Sequence, residues 1–100
     1  MKYILLSADS ETFVYLVPDE VADNLRKYCI EFCNKWLLKS PNAKKYRIKN
    51  SLCYNEVDFI DYLNTWIFPD TPSKFIESIG WVNSKEDIPS EYRECEFFNF

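Results

Sequence analysis

Histidine is absent from the 100 residues. That removes every Ser-His-Asp and Cys-His nucleophilic system and every metal site that relies on imidazole. Glycine occurs once, at Gly80. A single glycine cannot build a phosphate-cradling loop, and it leaves few tight turns of positive φ. Many-stranded barrels and sandwiches, whose hairpins call on glycine, are disfavoured for the same reason. Long apolar runs are missing too. Lys2 is followed by four strongly apolar residues, Tyr3 to Leu6, before Ser7, about half of what a secretory segment requires. Nothing approaches the ~18 apolar residues of a bilayer span. The expectation is a cytoplasmic chain with no membrane partner and no triad or nucleotide-processing chemistry.

What is present argues for a folded domain. Apolar residues make up 47% of the chain and aromatic residues 18%, too hydrophobic for disorder. The length suits one domain over residues 1–100, and no repeat, linker or low-complexity stretch divides it. The four cysteines are Cys29, Cys33, Cys53 and Cys95. A chain of this size does not need a disulfide framework, and an i,i+4 helical pair such as Cys29 and Cys33 has diverging Cβ vectors. Thiolate zinc sites use two close pairs, and only one exists here. The thiols therefore read as small buried hydrophobes, with no metal and no cofactor expected.

The pattern predicts an α+β fold. Lys2 to Ser7 and Thr12 to Val17 read as the strands of a hairpin, joined by Ala8-Asp9-Ser10-Glu11. Neither strand alternates: Tyr3-Ile4-Leu5-Leu6 and Phe13-Val14-Tyr15-Leu16 put apolar groups on both faces, so both faces need a cover. One cover is a helix. The other is the rest of the chain or a partner subunit, which opens the option of a homodimer. The long helix follows Pro18, with Asp19, Glu20 and Asp23 at its positive end. Its apolar stripe runs through Val21, Leu25, Tyr28, Cys29, Phe32, Cys33 and Trp36, Asp23–Lys27 and Glu31–Lys35 are i,i+4 pairs, and Pro41 stops it near Ser40.

Between residues 41 and 54 the pattern admits strand, helix or loop. Tyr46-Arg47-Ile48-Lys49 alternates, and Asn50-Ser51 suits a turn into Leu52-Cys53-Tyr54, a second hairpin. Asn55 caps a second helix carrying Phe59, Ile60, Leu63, Trp66 and Ile67, ended by Pro69. Thr71-Pro72 predicts the start of a third helix that buries Phe75, Ile76 and Ile79 and closes at Gly80. Trp81-Val82 reads as a short strand, and the segment from Asn83 folds back on the core through Phe97, Phe98 and Phe100.

Three function classes compete. Six of the twelve basic residues, Lys35, Lys39, Lys44, Lys45, Arg47 and Lys49, fall in segment 35–49 with no acid among them. Lys39, Lys44, Lys45, Arg47 and Lys49, with Tyr46 for stacking, are candidates for nucleic-acid binding. The bland reading is a solvated edge: lysine outnumbers arginine, and the aromatic interleaving of such modules is missing. Conversely, Glu91, Tyr92, Glu94, Glu96 and Phe98 form an acidic-aromatic tail that suits a basic groove on a partner protein, unless its aromatics complete this chain's own core. Glu56, Asp58 and Asp61 cluster at the second helix, with Asp58 and Asp61 on one face. They read as capping and solvating charges, which leaves a small enzyme with a carboxylate or cysteine centre as the third class.

The leading expectation is a non-catalytic protein–protein interaction module. With a net charge of −4, it resembles in general character the small acidic accessory, inhibitory or antitoxin-like proteins of bacteria and their mobile elements.

Overall fold

The computed structural model describes residues 1–48, 51–52 and 54–100. Strands β1 (Lys2–Ala8) and β2 (Glu11–Val17) form the predicted antiparallel hairpin, with Leu5 opposite Val14 and Ile4 opposite Tyr15. Its loop is shorter than expected. Pairing extends through Ala8 and Glu11, leaving Asp9 and Ser10 as a two-residue turn at φ 53° and 71°. These are the left-handed values that let a tight turn follow the strand twist, adopted here without glycine.

Helix α1 (Asp19–Asp23) and helix α2 come next, α2 running Leu25–Glu31, a π turn at Phe32–Trp36, then Leu37–Lys39. The sequence predicts one continuous helix; the break lies at Asn24, φ −133°. The Asn24 side chain donates to the Glu20 carbonyl at 3.0 Å, replacing a rung of the helical ladder with a local side-chain bond. The break also redirects Asp23. It pairs with Lys2 at 2.7 Å rather than with Lys27, whereas the expected Glu31–Lys35 pair forms at 3.1 Å. After Ser40 a 3-10 segment (Pro41–Tyr46) leads to a short hairpin of β3 (Arg47–Ile48) and β4 (Ser51–Leu52). The turn expected around Asn50, and Cys53 and Lys49, lie outside the described residues.

Helix α3 (Glu56–Tyr62) continues as a second π turn, Leu63–Ile67. The Asn55 cap is as predicted: its side chain accepts from Val57 and Asp58 N–H groups, and Asp58 answers by accepting from the Asn55 N–H at 2.9 Å. The third helix is not there. Its residues form strand β5 (Lys74–Gly80), antiparallel to β2. Thr71-Pro72 and the spacing of Phe75, Ile76 and Ile79 mimic a helix start and stripe. β5 is instead an edge strand, largely exposed on both faces, so it lacks the alternation that marks a half-buried strand. Register shifts fall between its pairs with Thr12/Phe13 and with Val14/Tyr15, leaving Ile79 and Ile76 without partners on β2. Trp81-Val82 carries no strand. Strand β6 (Phe97–Asn99) lies parallel to β1, completing the order β5-β2-β1-β6.

The helices cover one face of this sheet. Ile4, Leu6, Tyr15 and Val17 meet Val21, Leu25, Cys29, Phe32, Phe59 and Leu63 there. Phe32 sits among Trp36, Tyr54, Phe59, Tyr62 and Phe100, with ring centroids 5.1–6.4 Å apart. The second cover of the hairpin is the chain's own closing segment: Leu5 and Val14 pack against Tyr92, with Ile79, Ile88 and Cys95 around them. No helix of the described residues is long and apolar enough to cross a membrane.

Candidate functional site

The capping arrangement at α3 decides where its first acid goes. Asp58 serves the Asn55 N–H, so Glu56 is released from that task. It turns inward toward β2 and is 5% exposed. There the Tyr15 hydroxyl donates to its Oε2 at 3.3 Å. Phe75 of β5 lies edge-on to Tyr15 with centroids 5.7 Å apart, and tilted against Phe13 at 6.4 Å. Phe13, Tyr15, Val57, Ile60 and Phe75 wall a groove of about 360 Å³ that includes Glu56. Phe75 is 57% exposed and Val57 48%, so the groove opens at the sheet margin.

The electrostatics follow from this apolar lining. Desolvation raises the Glu56 carboxyl above the ordinary glutamate value, and the charges of Asp58 and Glu11 add to the rise, while the Tyr15 bond and the Val57 N–H oppose it. The Tyr15 phenol is raised as well, first by burial and then by Glu56 itself, so it stays protonated and acts as a donor. Among the described residues no lysine or arginine forms an ion pair with Glu56. An aromatic and aliphatic pocket with one convergent polar group has the composition of a binding site. Its chemistry is that of a hydrogen-bond and charge acceptor within apolar walls.

The candidates drawn from the sequence are distributed elsewhere. Lys39, Lys44 and Lys45 are exposed. Tyr46 is buried in the core, with the Lys45 ammonium 5.0 Å from its ring centroid, so its face is not open for base stacking. Arg47 donates to the carbonyls of Leu37 and Ser40 at 2.8 and 3.0 Å, tying down the end of α2. In the tail, Tyr92 is buried and donates to Glu77 at 2.8 Å, and Phe98 packs on the main core 5.0 Å from Phe100. Glu91 and Glu96 face solvent, and Glu94 reaches Lys85 at 3.8 Å. Asp58 and Asp61 do not share a site: Asp58 caps α3, while Asp61 borders a small hollow with Trp36, Tyr62 and Trp66.

The three described thiols, Cys29, Cys33 and Cys95, are buried or half-buried, and burial raises each of them. That is the opposite of what an activated nucleophile requires.

Glu56 and its aromatic neighbours are the residues that sequence reasoning missed. Reading Glu56 as a solvated helix-end charge fails because the cap already uses Asp58. The one local hint is a glutamate placed beside a cap whose reciprocal acid lies elsewhere. Compared with protein-family models, with curated proteins and with solved structures, the chain matches none.

Proposed function

We propose that the chain is a non-catalytic protein-interaction module that seats an extended, positively charged segment of a partner protein in the groove between β5 and α3. The observation that carries this reading is the groove itself, apolar-walled, open along an edge strand and centred on a buried carboxylate. Exposed apolar surface of this kind on a sheet margin favours occupation by another chain. Charge selects the class of occupant. Glu11 and Asp58 stand close enough to Glu56 to raise its carboxyl, and Lys74 is the one basic residue of β5. A second copy would bring like charges together, whereas a basic segment meets complementary ones. The unpaired Ile76 and Ile79 also matter: such irregularities, together with Lys74, discourage indiscriminate sheet growth along an exposed edge. They leave the groove to a specific partner.

The test compares capture from a cell lysate by the wild-type chain and by a Val57→Lys/Phe75→Lys double variant, which charges the two exposed walls of the groove, each with and without nuclease. The reading expects a stoichiometric protein captured by the wild type irrespective of nuclease and lost from the double variant. Equal capture by both chains would place the interface elsewhere. Capture that disappears with nuclease would transfer the function to Lys39, Lys44 and Lys45.

A further inference from the structure

Among the described residues, Glu56 has acceptor capacity that the fold does not use. An ionised carboxylate offers about four lone-pair positions. Among the described residues its hydrogen-bond partner is one neutral phenol, at the long distance of 3.3 Å, while the Val57 N–H is given to the Asn55 side chain. The rest of the carboxylate borders the groove, where Phe13, Tyr15 and Phe75 present aromatic surface. A buried anion beside aromatic rings is the chemistry that holds an organic cation: the ring quadrupoles attract it from the sides and the carboxylate neutralises it at the end.

Resting on the reading of this groove as the partner's seat, we infer that the Glu56–Tyr15–Phe75 box receives the ammonium group of a lysine side chain from the partner segment. Lysine fits better than arginine. A guanidinium realises its advantage over two parallel acceptors, and one oxygen of the Glu56 carboxylate already accepts from Tyr15. An ammonium is a point charge that needs one open oxygen. Its four-carbon stem lies along apolar wall, which Val57 and Ile60 supply on one side and Phe75 on the other. Bound there, the ammonium replaces the solvation that Glu56 loses on burial.

The test needs no knowledge of the partner. The intact protein is titrated with Nα-acetyl-lysine methylamide and, separately, with the norleucine analogue, which keeps the four-carbon side chain and lacks the ammonium. Shifts of the Val57 and Ile60 methyl signals report occupancy. The expected result is saturable binding of the lysine probe, about tenfold tighter than norleucine, in line with a partly desolvated cation–aromatic and charge-assisted contact. Glu56→Gln should reduce the lysine probe to the norleucine level. Phe75→Ala, at a largely exposed ring, should weaken it about threefold while leaving the fold intact.

Equal affinities for the two probes in the wild type, or unchanged lysine binding in Glu56→Gln, would overturn lysine recognition. So would absence of binding by either probe. None of these results touches the capture experiment with the Val57→Lys/Phe75→Lys chain, so the seat can survive the loss of its proposed specificity.

Discussion

Glu56 is held where its charged form is disfavoured, and this has a consequence for stability that pH can isolate. Its folded pKa lies above the unfolded value because burial penalises the ionised carboxylate. Below the ordinary glutamate range both states carry the proton and there is no penalty. As pH rises through the folded pKa, the unfolded state has already released its proton, so the native state is penalised and stability falls. Glu56→Gln keeps an acceptor for Tyr15 and cannot ionise. The variant should therefore be more stable than the wild type near pH 7, with the difference shrinking to nothing by about pH 4. Urea midpoints measured at intervals across that range check this; a constant offset would mean that the carboxyl is not desolvated. Little of this residue's role is legible locally. Its burial depends on Tyr15, separated from it by 41 positions, and no pattern within α3 records that partner.

Among the elements, legibility depends on how much of each element's environment is written in its own neighbours. The helical stretch from Asp19 to Lys39 has its stripe, its flanking prolines and a buried face, so period and overall extent agree, though the break at Asn24 does not show in the pattern. The cap of α3 is equally local, and its strength can be measured. Asn55→Ala removes a side chain that accepts from two backbone N–H groups and half of a reciprocal pair. It should cost about 1 kcal/mol, read as a lower midpoint in chemical denaturation with an unchanged slope; no loss would mean that water substitutes fully for the cap. β5 is the counter-example. An edge strand with exposed faces and two unpaired isoleucines owes its conformation to β2, and its own residues resemble a helix with a proline start. The π turns in α2 and α3 are also invisible in the pattern, since each side-chain spacing remains compatible with an ordinary helix. In space they bring Trp36 against Phe32 and Tyr62, with centroids 5.8 and 5.1 Å apart.

At the scale of the whole molecule, distant parts of the chain meet at the aromatic cluster. Phe32 from α2, Phe59 from α3 and Phe100 beyond β6 lie within 5.6–6.4 Å of one another. Phe100 is half-buried, and its backbone N–H donates to the Ser7 carbonyl at 2.7 Å. Phe100→Ala should cost about 2 kcal/mol, less than a fully buried phenylalanine. A loss within a few tenths of zero would show that the ring is dispensable to the core. That Phe98 and Phe100 fold inward was legible from composition, because a domain this small recruits what apolar groups it has, whereas Phe97, expected with them, stays 46% exposed. That the tail also closes the opposite face of the hairpin through Tyr92 and Ile88 was not legible, because the cover required was indicated without its source.

The sheet order has a further implication, in time rather than in space. The two central strands are joined by a two-residue turn and can pair at once, while both margins come from the second half of the chain and require the closure of long loops. Contacts of high sequence separation form late when a local alternative is available. The destabilisation caused by Phe100→Ala then belongs to the unfolding limb of the kinetics, with the refolding rate nearly untouched. The groove rests on one of those margins, β5, so the partner proposed to sit there would act as a brake on unfolding.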